Sequence, residues 1–473
     1  MLSFHIETVG CQMNALDSEL VAAALLREGF LCVDSPKKAD IVLFNTCSIR
    51  QHAEDKIYSA LGRLKFAKQH NPNKIIGVIG CMAQKDNQEI FRRASHVDLV
   101  VGPGQIALIP ELIHRIQRGE GPQIELSLDR KAHSRHEVES SFESYDPLRE
   151  AQARHNPYLS YVRAMFGCNQ FCSYCIVPLV RGPERSREAE EILAESALLV
   201  EQGCREITLI GQTVSKYQDP SSGARLSGLL ERMNDLAERT SLERIRFVTS
   251  HPNSMTPDLL QAVRDLPFVM PYFHIPAQSG SNAQLKKMNR GYTIEKYREA
   301  LAQIRETVPG ASITSDFIVG FCGETEEDFD ATMRLVEESR FKNSYIFKFS
   351  PREGTKAFEL YEDDVPEEVK RRRNNDLLAL QNRISEEDSA TFLGKNVEIL
   401  VEGESKSARK IAHTADSDGL ISLESLAPST IQLTGRTPCD RIVVFDGAPN
   451  LVGTMQNIRI TKTSAFTLFG EVL

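Results

Sequence analysis

Three cysteines stand in one short run, Gly167-Cys168-Asn169-Gln170-Phe171-Cys172-Ser173-Tyr174-Cys175, at the spacing C-x3-C-x2-C. A thiolate is a soft ligand that suits iron–sulfur clusters and zinc. A closed structural zinc site takes four ligands, and this run offers three. Three thiolates on a four-iron cube leave one iron open, and an open metal position is where chemistry can occur. The spacing leaves two other readings standing: a zinc knuckle with a distant fourth ligand, and three unrelated thiols.

Three further cysteines share a different property. Cys11, Cys47 and Cys81 each follow a strand-like run, in Gly10-Cys11-Gln12-Met13-Asn14, Asn45-Thr46-Cys47-Ser48 and Gly80-Cys81-Met82-Ala83-Gln84. In a parallel sheet the carboxyl ends of strands share one edge, the edge at which α/β folds bind ligands. Thiols far apart in sequence would converge there on a second metal site. Each one alone reads as an inert buried cysteine. Cys32 lies away from these ends and reads as core.

The elements that must position these thiols follow from the pattern. Residues 1–118 alternate strand and helix runs, which implies an α/β domain with a wound, mainly parallel sheet. Residues 119–156 lack hydrophobic periodicity and read as a linker, with the mixed-charge run Arg130-Lys131-Ala132-His133-Ser134-Arg135-His136-Glu137 at its centre. Strand runs at 161–166, 206–210, 244–249, 271–275, 312–319 and 344–349 alternate with helices across 157–365. They suggest a partial (βα)6 barrel whose active face is the carboxyl strand ends. The three-cysteine run follows the first of these strands. A connecting helix spans 366–392. Its Lys370-Arg371-Arg372-Arg373 run reads as a solvated face, with an RNA contact as the rival reading. Short strands at 396–401, 419–423, 441–444, 455–460 and 465–468 make 393–473 a small β-barrel of a kind that often binds oligonucleotides. Its charges nearly cancel, so Lys395, Lys406, Arg409, Lys410, Arg436, Arg441, Arg459 and Lys462 would have to gather on one side.

Composition bounds the function. With 473 residues, about three domains are expected. Hydrophobic residues are 41% and charged residues 26%, the balance of a soluble globular chain. No apolar run reaches the length of a membrane span. The start, Met1-Leu2-Ser3-Phe4-His5-Ile6-Glu7, has neither a basic segment nor a signal-like apolar core, so a cytoplasmic protein is expected. In a reducing compartment ten cysteines argue for metal or catalysis rather than disulfides. The net charge of −9 gives no global attraction to nucleic acid. With no Trp, stacking would fall to Phe and Tyr.

Together these motifs resemble a known family. Cys168-x3-Cys172-x2-Cys175 with Tyr174 before the last cysteine resembles the radical S-adenosylmethionine (SAM) superfamily. The three N-terminal cysteine motifs, extended at Ser48-Ile49-Arg50, look like the methylthiotransferase N-terminal domain. Further matches are Arg181-Gly182-Pro183-Glu184-Arg185-Ser186-Arg187, Gly211-Gln212, Thr249-Ser250-His251-Pro252, His274-Ile275-Pro276-Ala277-Gln278-Ser279-Gly280-Ser281, Met288-Asn289-Arg290-Gly291-Tyr292-Thr293 and Asp316-Phe317-Ile318-Val319-Gly320-Phe321. The C-terminal barrel resembles a TRAM domain through Val401-Glu402-Gly403-Glu404-Ser405-Lys406 and Gly435-Arg436-Thr437. Within the methylthiotransferase family of radical SAM enzymes the chain looks most like the MiaB branch, which methylthiolates N6-isopentenyladenosine in tRNA beside the anticodon. The nearest alternatives act on threonylcarbamoyl-adenosine in tRNA or on an aspartate of a ribosomal protein. A non-enzymatic iron–sulfur protein with an RNA-binding tail is the reading from another class; it accounts for the six cysteines but not for the SAM-pocket motifs. The chain departs from the pattern at Cys322, where Pro is expected, at Asp440, where Asn is expected on an RNA-facing surface, and in extra residues around 414–431.

The resemblance implies a mechanism. Cys168, Cys172 and Cys175 would hold a [4Fe-4S] cluster whose open iron chelates SAM. Tyr174, Gly211, Gln212, Ser250 and Asp316 would line the SAM pocket. The radical made there would take hydrogen from carbon 2 of the adenine. Cys11, Cys47 and Cys81 would hold a second [4Fe-4S] cluster that carries the sulfur, methylated by a second SAM. The implied partners are the tRNA anticodon loop and a flavodoxin- or ferredoxin-like electron donor, and a monomer is expected. His251 and His274 could assist SAM or the base, or could be satisfied structural histidines.

Overall fold

In the computed structural model the described residues are 2–48, 51–126, 149–408 and 430–473. The mixed-charge run 130–137, residues Ile49 and Arg50, and the strand expected at 419–423 lie outside them.

The N-terminal sheet contains six parallel strands: β1 (Ser3–Val9), β2 (Leu31–Cys32), β3 (Ile41–Thr46), β4 (Ile75–Gly80), β5 (Leu99–Val101) and β6 (Gln123–Glu125), in the order β2-β1-β3-β4-β5-β6. Every residue of β3 and β4 is buried. An interior parallel strand is covered on both faces, so it reads as an unbroken apolar run such as Ile41-Val42-Leu43-Phe44. Leu16, Leu20, Ile109, Leu112 and Ile113 cover one face; Ile57, Leu61 and Ile90 cover the other. The first face also packs on Ile210 of the central domain, so the two cores are continuous.

Two sequence expectations change here. The linker is partly structured: β6 pairs with β5, and Arg149 is buried with ion pairs to Glu19 at 2.7 Å and Glu195 at 2.6 Å. Cys32 is exposed rather than core, because β2 is the edge strand.

The central domain has six parallel strands, Leu159–Arg163, Glu206–Ile210, Arg244–Phe247, Tyr272–His274, Ser312–Val319 and Asn343–Lys348, paired three and three. A bridge from Ile245 to Val269 and the Ser250 N–H donating to the His274 carbonyl at 2.9 Å join the two halves. No pairing links the first and sixth strands among the described residues, so the barrel is open on one side. The helix Glu367–Ala390 lies across the last strand through Gln381, which meets Ser344 Oγ at 2.7 Å. Only half of its basic run is a solvated face, Arg371 and Arg372 being exposed. Lys370 and Arg373 are buried, Lys370 against Asp363 at 2.5 Å and Arg373 against Glu324 at 2.8 Å, while Arg372 pairs with Glu326 at 2.6 Å.

The C-terminal strands Asn396–Glu404, Ile431–Arg436, Ile442–Gly447, Met455–Thr463 and Thr467–Val472 close into a barrel around Ile399, Val401, Leu433, Phe445 and Ile458. The strand Ile431–Arg436 was not foreseen. This barrel seals the amino-terminal end of the central strands. Arg246 donates to the Thr437 and Pro438 carbonyls, each at 2.9 Å, and Arg244 to the Arg436 carbonyl. Lys342 pairs with Asp440 at 2.9 Å, and Asp440 with Arg436 at 2.7 Å. Asp440 is therefore an inter-domain tie and not an added charge on an RNA-facing surface. Its φ of 63° is one that Asn and Asp tolerate better than other side chains, which explains the exchange at this position. Burial alone would raise its pKa, yet Lys342, Arg436 and Arg246 hold its carboxyl well below the usual range.

Candidate metal centres at two strand edges

The loop after the first central strand is strapped down along its length. The Cys168 N–H donates to the Gly182 carbonyl at 3.1 Å, the Ser173 N–H to the Met288 carbonyl at 3.0 Å, and the Ala357 N–H to the Ser173 carbonyl at 2.7 Å. The Glu184 N–H donates to Asn169 Oδ1 at 3.1 Å, and Asn289 Nδ2 to the Phe171 carbonyl at 2.9 Å. Gly167 has φ +53°, and a Cβ there would lie 2.0 Å from the Pro183 carbonyl oxygen. Only glycine allows the loop to approach Arg181–Arg187 so closely.

Arg290 organises the chemistry of this loop. It is buried, and its Nη1 donates to Cys172 Sγ at 3.2 Å and to the Tyr174 hydroxyl at 3.5 Å. Nε donates to the Tyr292 hydroxyl at 3.1 Å and Nη2 to the Pro276 carbonyl at 3.1 Å. No carboxylate pairs with it among the described residues. A buried cation costs free energy unless an anion meets it, and the group in reach is the sulfur of Cys172. Burial pushes the Cys168 thiol up to about 11 and the Cys175 thiol higher still. Both must lose their protons to bind a metal, so loading this site would release protons. Gln170 Nε2, Glu184 Oε2 and Ser250 Oγ are shielded from solvent and have no hydrogen-bond partner among the described residues. Polar groups left open in this way fit a ligand with both charges, such as an amino acid headgroup.

The other expected pocket residues lie on the same rim. Gly211 follows the second central strand, with Gln212 next to it, and Ser250 follows the third. Asp316 projects from the fifth strand and meets His274 Nε2 at 3.4 Å; His274 Nδ1 meets Thr314 Oγ1 at 2.9 Å. Tyr174 packs edge-on to Phe321 at 6.4 Å, and Cys322 is buried in the same apolar cluster.

His251 is a satisfied structural histidine. Its Nδ1 accepts from the Asn253 N–H at 3.3 Å, which puts the proton on Nε2, within 3.3 Å of the Arg290 carbonyl. The ring stands edge-on to Tyr292 at 5.2 Å. Burial, with the Arg290 charge adding, lowers its pKa to about 4 from an ordinary 6.5. A depressed pKa stabilises the fold above the ordinary value, and that stability is lost as pH falls through the folded one. The apoprotein should therefore lose about 3 kcal/mol of unfolding free energy between pH 7 and pH 4 through this group alone. Urea titrations across that range should show a shallower acid slope in His251→Gln; an unchanged slope would remove His251 as the cause.

The second set lies along the edge of the N-terminal sheet. Cys11 precedes the helix Gln12–Arg27 after β1, Cys47 follows β3, and Cys81 opens the helix Cys81–Asp86 after β4. Strands β1, β3 and β4 are neighbours, so the three thiols share one edge. The Cys47 thiol hydrogen-bonds Cys11, and this bond, opposed by burial and aided by the Arg181 charge, lowers the Cys11 thiol to about 5. Cys11 Sγ lies 3.3 Å from Asn14 Oδ1, and Asn14 Nδ2 donates to Asn45 Oδ1 at 2.8 Å. Gly80, at φ +89°, gives way to Asn45: a Cβ there would lie 2.3 Å from Asn45 Oδ1. Thr46 Oγ1 and Ser48 Oγ beside Cys47 are buried with no partner among the described residues. Among the described residues no three His, Cys, Asp or Glu side chains converge as ligands of one metal ion.

The two sets meet across the domain seam. Cys81 packs against Ile176 and Val180, which follow Cys175 in the chain. Asp17, fully buried in the helix after Cys11, pairs with Arg163 and, at 2.7 Å, with Arg181. Arg290, Arg181, Arg163 and Asp17 were not singled out from sequence. Arg290 and Arg181 stood inside quoted motifs, but nothing marked Asp17 or Arg163 as buried.

The comparisons with known proteins agree with this geometry. The Radical SAM superfamily profile matches residues 162–336, the uncharacterized protein family UPF0004 profile residues 3–102, and the TRAM domain profile residues 390–473. Among solved structures, the radical S-adenosylmethionine methyltransferase TsrM of Kitasatospora setae, with cobalamin and a [4Fe-4S] cluster bound, superposes with TM-score 0.52 at 16% identity, over 76% of this chain and 77% of that one. That likeness speaks for the fold alone. A cysteine triad at the strand ends of an open parallel barrel, with the superfamily match, defines a radical SAM protein, a class that uses SAM and a [4Fe-4S] cluster. A protein of Rhodopirellula baltica named tRNA-2-methylthio-N(6)-dimethylallyladenosine synthase is 53% identical over 99% of this chain and 95% of its own length. Proteins of the same name from Thermoanaerobacter pseudethanolicus and Bacteroides fragilis are 40% identical over 100% and 98% of this chain and 93% and 94% of theirs. The chain belongs to the family of tRNA-2-methylthio-N(6)-dimethylallyladenosine synthases.

Proposed function

We propose that this protein adds a methylthio group to carbon 2 of N6-isopentenyladenosine beside the anticodon of tRNA, with two SAM consumed per turnover. The observation that carries the reading is the seam: two cysteine sets hang from separate sheets that meet there, with Cys81 against Ile176 and Val180 and with Asp17 tied to Arg181. An enzyme that must both activate a carbon and deliver sulfur to it needs two metal sites within reach of one base. Relatives that carry the synthase name over nearly the whole chain support the choice of substrate.

Cys168, Cys172 and Cys175 would hold one [4Fe-4S] cluster, and Cys11, Cys47 and Cys81 a second. When bound, the first with SAM supplies a carbon radical able to take hydrogen from an unactivated C–H, and the second supplies sulfur. The chain's own residues do the positioning. Arg290 donates to Cys172 and holds Tyr174, while Ser250, Gly211, Gln212 and Asp316 line the SAM pocket. Met288, Phe321 and Phe349 pack behind the loop and exclude water. The target adenine must be splayed from the anticodon loop to reach both sites, as single-stranded RNA permits. On the C-terminal barrel, Lys395, Lys406, Arg459 and Lys462 are exposed and available to phosphates, whereas Arg436 and Arg441 turn inward to Asp440 and Asp388. The protein works in the cytoplasm as a monomer with a flavodoxin- or ferredoxin-like donor.

The test is mass spectrometry of tRNA nucleosides from a host lacking its own enzyme, with and without this gene. Methylthio-isopentenyladenosine should appear only with the gene. A methylthio product on threonylcarbamoyl-adenosine instead would move the substrate to the neighbouring branch.

A further inference from the structure

Glu184 sets a carboxylate beside the three-cysteine loop. It leads into the short strand Arg185–Ser186, which pairs antiparallel with Met165–Phe166, so it falls opposite Gly167 at the start of that loop. Its own N–H is fixed to Asn169 Oδ1 at 3.1 Å. The same hairpin packs on the rim that carries the SAM-pocket residues: a Cβ on Gly211 would lie 3.1 Å from Met165 Cβ. Glu184 Oε2 is shielded from solvent, yet no hydrogen bond engages it among the described residues. An unsatisfied buried acceptor costs free energy, more so a charged one, and a donor that binds there would remove that cost. Gln170 Nε2 is shielded and open as well, and the Gln170 N–H donates to Cys168 Sγ at 3.5 Å. The carboxylate singled out for the pocket from sequence, Asp316, is already met by His274 Nε2 at 3.4 Å. An open carboxylate and an open amide donor therefore stand by the first cysteine of the loop.

We infer that Glu184 binds SAM: its carboxylate accepts from the α-amino group of the methionine head, and the Gln170 amide donates to the carboxylate of that head. The inference rests on the radical SAM assignment of the loop and places the head-group contacts within it. The α-amino group keeps N–H donors whether it is protonated or bound to a metal, so the pairing holds in either state. A hydrogen bond to an ionised acceptor in a shielded site is among the stronger polar contacts. It separates SAM from adenosine thioethers that lack the amino acid head.

The test measures ligand affinity of the full chain, reconstituted anaerobically, by equilibrium dialysis. Three probes are compared: SAM, the SAM analogue that lacks the α-amino group, and 5′-methylthioadenosine, which lacks the whole head. At equal iron content Glu184→Gln, similar in size but neutral, should bind SAM about tenfold or more weakly than the wild type. It should bind the other two probes no more weakly than the wild type does. Glu184→Asp, which keeps the charge on a shorter stem, should recover part of the loss. Equal weakening toward all three probes would mark a structural role and overturn the inference, and unchanged SAM affinity would overturn it too. Weaker binding of a tRNA anticodon stem-loop with SAM affinity intact would move the carboxylate to the target base, again overturning it. A wild type that does not bind SAM would overturn the SAM pocket itself, a failure distinct from that of Glu184.

Discussion

Replacing Cys168, Cys172 and Cys175 together with alanine is expected to abolish SAM cleavage while about half of the iron remains. Methionine and 5′-deoxyadenosine, measured by chromatography after anaerobic reduction, should fall to background. The reason is spatial. The three thiols belong to one loop, and Arg290 presents its buried charge to Cys172 there. The other set hangs from β1, β3 and β4 of a different sheet, covered on both faces. Removing the loop thiols leaves that sheet intact. The reciprocal variant, with Cys11, Cys47 and Cys81 replaced, should still cleave SAM but yield no methylthio product. Cleavage retained in the first variant would contradict the assignment. Absence of cleavage in the wild type would favour a non-enzymatic iron–sulfur protein.

The second large effect concerns Asp440. Asp440→Ala should destabilise the protein by about 3 kcal/mol, the lower end of the cost of breaking a buried ion pair. The lower end applies because the Asp440 and Lys342 side chains keep 17% and 14% of their exposure. The variant strands Lys342 and loosens Arg436 at the base of the central barrel. It should also expose the segment between the domains to limited proteolysis. Asp440→Asn keeps the backbone conformation and one hydrogen bond and should cost less. Were Asp440 on an RNA-facing surface, removing its charge would tighten tRNA binding and leave stability unchanged. That pair of results would contradict the inter-domain tie.

The cysteine sets and Asp440 show what a sequence can carry. Both cysteine sets could be placed because strand ends are legible: Ile41-Val42-Leu43-Phe44 marks a buried strand by itself, and Cys47 follows it. Six strands of the central barrel could be read for the same reason, since buried parallel strands are apolar runs punctuated by glycine and helices. Buried charge is another matter. Asp17 stands in a helix among polar residues and resembles any solvated position. Its partners Arg163 and Arg181 lie 146 and 164 residues away. Asp440 and Lys342 are 98 residues apart. Lys370 and Arg373 read as a basic surface, and only the packing of their helix against Glu324 and Asp363 turns them inward. An ion pair made in the fold leaves no local period to detect. His251 differs again: its motif marks it, but its role depends on whether both ring nitrogens are already engaged, which the fold alone decides.

The most direct measurement is the iron content of the full chain, reconstituted anaerobically with iron and sulfide and quantified against protein. Two four-iron clusters held by Cys168, Cys172, Cys175 and by Cys11, Cys47, Cys81 require about eight iron per chain. About four iron in the wild type, all lost with the Cys168, Cys172 and Cys175 replacements, would contradict the two-centre enzyme.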